Sequence, residues 1–276
     1  MDAMLSYTKN KQAEATSAPR DTLPVFAKAP GIVLGGLPIA VVTRAEAARQ
    51  MIDASRSKLR GIRPIYLTSG NGEVIARAAA DERIAQLFRS ADQIVADGQP
   101  MVLASRLLCR QPLPERVATT DLFHDVARLA VRSGHSFYFL GATPDENQKA
   151  VEQVREAYPG LRIAGRSHGF LSGAELDAKL AEINNLAPDI LWLALGVPRE
   201  QEFVAEHGTK LGKVGVIKTS GGLFNFLSGS KRRAPLWVQR TGLEWAFRIW
   251  LEPKRLFWRY LTTNPLSAYL LLTRSE

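Results

Sequence analysis

The chain is predicted to fold as an α/β protein: a Rossmann-like, mainly parallel sheet with helices on both faces, plus a basic helical appendage at its C-terminal end. Three observations predict it. From residue 31 onward, short apolar runs rich in β-branched and aromatic residues alternate with segments of helical period. The runs are apolar throughout rather than alternating, as strands covered on both faces are. Near residue 230 the texture changes to a basic, tryptophan-rich stretch.

Taken in order, residues 1–30 hold Lys9, Lys11, Glu14, Arg20 and Asp21 with no continuous apolar stretch. They read as a flexible tail without a secretory signal. The α/β catalytic domain is expected over 31–229. Its strand candidates are 32–34, 62–67, 93–96, 137–140, 161–164, 190–195 and 214–217. Helix starts are marked by capping-box spacing at Thr43 with Glu46 and at Ser172 with Glu175. Pro144 and Pro198 stand where a first helical turn begins, a place that tolerates the missing N–H. No internal repeat interrupts the pattern.

The appendage is expected over 230–276, interrupted near Pro253 because proline cannot continue a helix. Within 231–259 the bases Lys231, Arg232, Arg233, Arg240, Arg248, Lys254, Arg255 and Arg259 face only Glu244 and Glu252. Trp237, Trp245, Trp250 and Trp258 lie in the same stretch. Arg255 and Arg259 are spaced to share a helix face, and Arg240, Glu244 and Arg248 form a similar row. Amphipathic rings beside basic side chains suit the headgroup level of an anionic membrane. Each nearby Lys or Arg adds about 1 kcal/mol of attraction there. The competing reading is a C-terminal helix packed on the core with solvated charges.

With 36 Lys and Arg against 27 Asp and Glu, the net charge is +9, which asks for an anionic partner. The longest apolar runs, 190–197 and 266–272, fall short of the roughly 18 residues a spanning helix needs. Cys109 is the single cysteine, so no intramolecular disulfide forms, as fits a reducing cytoplasm. It reads as an apolar filler beside Leu107 and Leu108. The expected location is cytoplasmic, peripheral on the inner face of the cytoplasmic membrane.

In open parallel sheets, ligands bind at the carboxyl ends of the strands, and several polar clusters fall there. Thr68-Ser69-Gly70-Asn71-Gly72-Glu73 follows a strand and offers short hydrogen-bonding side chains, or simply a turn with an N-cap. Asp97-Gly98-Gln99-Pro100 places an acid as a general base or, with equal weight, as an N-cap. Arg116 reads as a phosphate or carboxylate clamp or as a solvated loop arginine, and Thr120 or Asp121 as the cap of the following helix. Gly141 and Gly196 stand at strand–helix junctions that suit an anion or a sugar hydroxyl, the second followed by Glu200-Gln201-Glu202. No G-x-G-x-x-G is present, which speaks against a nicotinamide cofactor. His124, His135, His168 and His207 show no paired spacing, so no metal site is expected.

In this order the motifs resemble the WecG/TagA/CpsF family of bacterial glycosyltransferases, over about residues 31–264. The likeness rests on Ser69-Gly70-Asn71, Asp97-Gly98-Gln99-Pro100, Arg116-Val117 with Asp121, and Gly196-Val197-Pro198-Arg199. It continues through Arg233-Ala234-Pro235, Leu243-Glu244-Trp245, Arg248, Glu252-Pro253-Lys254-Arg255 and Arg259-Tyr260. Three positions depart from the family pattern: Glu200-Gln201-Glu202 stands where Gln-Glu is usual, Phe224-Asn225 replaces Phe-Asp, and Thr119-Thr120 replaces Thr-Gly.

The resemblance implies metal-independent, inverting transfer of a hexose or N-acetylhexosamine-type sugar from a UDP-sugar donor. The acceptor it implies is a polyprenyl-diphosphate-linked sugar of exopolysaccharide or cell-surface polysaccharide biosynthesis. It also implies Asp97 as base, with Ser69 and Asn71 lining the donor site. Arg116 with Arg233, Arg248, Arg255 and Arg259 would meet the diphosphates, and Glu200 or Gln201 would take the place of the family glutamine. No cofactor and no nucleic acid are expected; homo-oligomerisation is left open. The alternatives are a nucleic-acid-binding module and a nucleotide-dependent oxidoreductase on the same fold.

Overall fold

The computed structural model describes residues 31–57 and 62–276, the side chains of Arg240 and Arg255 excepted. The expected N-terminal tail, 1–30, lies outside the described residues.

Strands β1 (Gly31–Leu34) and β2 (Leu37–Ala40) form an antiparallel hairpin. Its two turn residues, Gly35 and Gly36, have φ of +58° and +84°, the left-handed pair that a tight hairpin turn requires. A Cβ on Gly35 would also stand 2.5 Å from Ile75 Cγ2.

The main sheet holds β3 (Ile65–Gly70), β4 (Gln93–Ala96), β5 (Ser136–Gly141), β6 (Arg162–Ser167), β7 (Ile190–Ala194) and β8 (Val216–Thr219). Their order is β4-β3-β8-β7-β5-β6, and every pairing is parallel. Alternate residues explain why both faces are covered. Phe137, Phe139 and Trp192 point into one core with α1 (Arg44–Ala54), α5 (Thr119–Ser133) and α6 (Pro144–Ala157). Tyr138, Leu140, Leu191 and Leu193 point into the opposite one with α7 (Gly173–Leu186) and α8 (Arg199–His207). A third cluster joins the hairpin, α2 (Gly72–Ala80), α3 (Glu82–Arg89), β4 and α4 (Gln99–Leu108). The predicted mainly parallel α/β sheet is the observed one.

Local expectations fare unevenly. Thr43 and Glu46 form the full capping box of α1, and Pro144 sits in the first turn of α6 behind the cap Thr143. Ser172 is the N-cap of α7, but its side chain makes no capping bond. Pro198 is the N-cap of α8 rather than its first residue, and the Val197–Pro198 peptide is cis. The cap of α5 is Ala118, not Thr120 or Asp121, because the first turn of that helix is satisfied from outside, by Asp97.

The C-terminal segment is helical: α10 (Leu236–Arg240), α11 (Glu244–Leu251) and α12 (Pro253–Thr273) after the short α9 (Leu223–Leu227). The break between α11 and α12 falls at Pro253, as expected. The expected row of Arg240, Glu244 and Arg248 does not exist on one helix, because Gly242, at φ +79°, turns the chain between α10 and α11. Helix α12 packs on α2 and sends Leu270 and Leu271 into the third cluster. Glu276 then pairs with Val33 through two backbone hydrogen bonds of 3.0 and 3.1 Å, and Gly36 N donates to Arg274 O at 2.9 Å.

Candidate active site

The carboxyl ends of β4, β3 and β8 lie side by side, and each delivers a polar residue where its apolar run stops. From β3 come Thr68 and Ser69, from the exit of β4 comes Asp97, and from β8 come Lys218 and Thr219. Asp97 Oδ2 accepts from the Thr119 hydroxyl at 2.8 Å and from the Thr119 backbone N–H at 3.2 Å. The acid thus serves the N-terminus of α5, not that of α4, whose cap is Gly98. Thr119 Oγ1 lies 3.0 Å from Ser69 Oγ, and Lys218 Nζ donates to Ser69 Oγ at 2.8 Å and to Thr219 O at 2.7 Å.

Two cavities open over these residues, of about 360 and about 160 Å³. Asn71, Asp97, Glu244 and Arg248 line both, so Asp97 stands where they meet. The larger is closed on its far side by α11 and α12, through Trp245, Tyr260 and Leu271. The smaller is walled by Ser69, Glu200, Gly221 and Arg233. A concave site with few convergent polar groups and perturbed titratable residues is the expected form of a reactive centre.

Burial sets the electrostatics. Asp97 borders open space yet is ringed by protein, and desolvation lifts its carboxyl above the ordinary 3.8; Thr119, Arg116 and Lys218 pull back towards ionisation. Burial likewise raises Glu200, whose Oε2 accepts from Gly221 N at 2.9 Å. Lys218, with none of its surface exposed, is brought down to about 8 by burial, against the charges of Asp97 and Glu200. Burial also works against ionisation of Asp121, but Arg233, Arg44 and Arg116 carry its carboxyl below the usual range.

The structure brings together Ser69, Asn71, Asp97, Arg116, Glu200, Arg233 and Arg248 from the sequence-predicted set. Asn71 also caps α2, its Oδ1 accepting from Val74 N at 3.0 Å. Arg116 is not a solvated loop arginine: it donates to Glu244 at 2.6 Å and to Gln239 at 2.9 Å. Arg233 grips both oxygens of Asp121. Arg259 lines neither cavity; it pairs at 3.1 Å with Glu73, which lines the larger. Among the described residues Arg248 has no carboxylate in ion-pair range and faces both cavities. The Arg255 side chain lies outside the described residues.

Gly141 and Gln201 line neither cavity. At Gly141, φ is +136° and a Cβ would meet Ala194 O at 2.2 Å, so glycine is demanded by strand packing. Gln201 lies behind Glu200 and donates to Thr68 Oγ1 at 3.3 Å. Asn225, where an acid is usual, donates to Glu146; a carboxylate there would face another carboxylate.

Lys218, Thr119 and Glu244 were missed as site residues. For Lys218 a signal existed: a lysine inside an apolar strand of a sheet covered on both faces is costly and needs a reason. Among the described residues, no group of three or more His, Cys, Asp or Glu side chains is arranged to hold a metal ion.

The model of the glycosyl transferase WecG/TagA/CpsF family matches residues 32–275. Three relatives are named N-acetylglucosaminyldiphosphoundecaprenol N-acetyl-beta-D-mannosaminyltransferase. The Bacillus subtilis (strain 168) protein is 31% identical over 76% of this chain and 80% of its own length. The Bacillus spizizenii protein is 31% identical over 72% and 76%, and a Staphylococcus aureus (strain MRSA252) protein is 27% identical over 70% and 74%.

Proposed function

The chain belongs to the WecG/TagA/CpsF family of glycosyl transferases, and we propose that it moves a hexose or N-acetylhexosamine-type sugar from a UDP-sugar to a polyprenyl-diphosphate-linked sugar, with inversion and without a metal ion. The observation that carries this reading is the position of Asp97. Its Oδ2 is held by two donors from Thr119, while the carboxylate borders both cavities. An acid so placed is well set to take a proton from a hydroxyl entering on one side as that hydroxyl attacks an anomeric carbon held on the other.

In the proposed step the acceptor oxygen bonds to the anomeric carbon and gives its proton to Asp97 Oδ1. The bond from that carbon to the diphosphate oxygen breaks, and its electron pair leaves with UDP. Arg248, open to both cavities, is the cation we assign to the growing charge, and Arg116, at the wall of the larger, to the acceptor's own diphosphate. The smaller cavity, with Ser69 and Glu200, suits the hydroxyls of a donor sugar. The larger, with Trp245 and Tyr260, suits the acceptor. The relatives' printed names support a lipid-diphosphate acceptor of this kind.

The appendage supports a peripheral place on the inner face of the membrane. Trp237, Trp250 and Trp258 are 67%, 76% and 69% exposed, unusual for rings of this size and suited to a headgroup layer. Among the described residues no helix is long and apolar enough to cross a membrane.

The testing experiment is a panel of UDP-sugars with a polyprenyl-diphosphate monosaccharide in anionic vesicles and excess chelator. UDP release coupled to a disaccharide-lipid product is expected for at least one donor. Release that requires an added divalent ion would contradict the metal-free step, and no transfer from any UDP-sugar would contradict the donor class.

A further inference from the structure

We infer that Lys218 is a positioning residue for the transfer step: its ammonium fixes the direction of a two-hydroxyl hydrogen-bond chain that ends on Asp97 and leaves Oδ1 as the proton-accepting oxygen. This rests on the reading of Asp97 as the base.

The hydrogens available along three short contacts fix the direction of the chain. An ammonium has donors and no lone pair, so the 2.8 Å contact from Lys218 Nζ to Ser69 Oγ runs one way only. The Thr119 hydroxyl has one hydrogen, and it points to Asp97 Oδ2, a carboxylate oxygen 2.8 Å away. Ser69 must then donate its own hydrogen to Thr119 Oγ1, 3.0 Å away. The chain therefore reads Lys218 to Ser69 to Thr119 to Asp97, each member donating to the next. With the Thr119 backbone N–H, Oδ2 receives two donors, so a proton arriving from the cavity finds its free lone pairs on Oδ1.

Lys218 is wholly buried, and among the described residues it makes no direct ion pair; its acceptors are a hydroxyl and the Thr219 carbonyl. Burying an ammonium on such terms is costly, and the compensation is the field of two nearby acids. The charged groups around the base come from four elements. Arg116 from the loop ahead of α5, Arg233 from the segment ahead of α10 and Lys218 from β8 act on Asp97, and Glu200 on α8 acts on Lys218. Of the three cations, Arg116 and Arg233 already have carboxylate partners in Glu244 and Asp121. Lys218 alone is connected to Asp97 by hydrogen bonds.

The test reads Asp97 directly. The full chain, carrying aspartate enriched in ¹³C at the carboxyl carbon, is titrated by NMR, and the Asp97 signal is identified by its loss in Asp97→Asn. In Lys218→Met the Asp97 midpoint is expected to rise by about one pH unit or more, as loss of a neighbouring opposite charge does. Ser69→Ala cuts the chain but keeps the ammonium, so a smaller rise is expected; it also carries the test if Lys218→Met does not fold. The acidic limb of kcat should move upward with the midpoint, while KM for the acceptor stays near its wild-type value. An Asp97 midpoint unchanged in both variants would overturn the inference. If Asp97→Asn turned over at the wild-type rate, the base assignment itself would fall, an outcome the titration registers separately.

Discussion

Arg116 Nη1 stands 2.6 Å from Glu244 Oε2, across the seam between the loop ahead of α5 and the first turn of α11. Both side chains are mostly buried, and both line the larger cavity. The pair ties the helical tail to the wall of the site, and a second bond from Arg116 to Gln239 on α10 reinforces the tie. Arg248, one turn beyond Glu244, is thereby brought over the same cavities.

Arg116 has two jobs in this account, and variants separate them. Glu244→Ala removes the tether while leaving the Arg116 charge in place, and should destabilise the protein by about 1.5–3 kcal/mol in urea unfolding, as expected for a lost hydrogen bond between charged groups. Arg116→Ala should cost a similar amount of stability and in addition lower kcat/KM by roughly 10- to 100-fold, through lost charge-assisted bonds to the acceptor's diphosphate. Equal kinetic effects in the two variants would reduce Arg116 to a tether.

Lys218 gives stability a pH signature above neutrality. Its folded value is about 8 against an ordinary 10.5. Between these limits the unfolded chain holds a proton that the folded chain has released, so stability rises with pH across that window. The contribution is therefore present above 10.5 and lost as pH falls through about 8. Lys218→Met has no such group, so the difference in urea midpoint between wild type and variant should shift in favour of wild type from pH 8 to 10. A difference that does not vary with pH would contradict the depressed value.

The alternation of strands and helices was legible because burial on both faces leaves continuous apolar runs. The strand ends that matter most were not. Strand β3 was expected at 62–67 and runs over Ile65–Gly70; β8 was expected at 214–217 and runs over Val216–Thr219. Both errors lean the same way, because apolar patterning stops where polar site residues begin, and the strands carry on through Thr68, Ser69, Lys218 and Thr219. Strand β2 was not among the expected strands; it buries Leu37 and Ile39, and Pro38 is tolerated between them because a two-stranded hairpin leaves each strand one unpaired edge. Asp97, Ser69, Asn71 and Arg116 were legible from the ordered motifs. Their partners Thr119, Glu244 and Lys218 lie far away in sequence, and no local spacing links them.

Gly141 illustrates a residue that reads as functional and is instead explained by packing. Gly141→Ala places a Cβ against Ala194 O at 2.2 Å and a side chain at φ +136°. A loss of about 3 kcal/mol or more is expected from overpacking and strain together, seen as a lower thermal midpoint. The folded fraction should keep its kcat. A stable variant with impaired donor binding would return Gly141 to the site.

Deleting the tail is a poor test of membrane attachment, since Leu270 and Leu271 belong to the core and Glu276 pairs with Val33. Exposed rings are the better target. Trp250→Ala with Trp258→Ala should weaken binding to anionic vesicles by roughly tenfold or more, with little change in stability. Undiminished sedimentation with vesicles would refute the anchor.

Transfer turns on one proton, taken from the acceptor hydroxyl by Asp97 in the proposed step. Single-turnover transfer from a saturating UDP-sugar to the lipid-linked acceptor, measured for wild type and Asp97→Asn under the same conditions, tests it most directly. A rate lower by about 10²–10⁴ is expected, the usual worth of a positioned base, with the wild-type rate rising through a midpoint above 3.8. Transfer by Asp97→Asn at the wild-type rate would contradict the account.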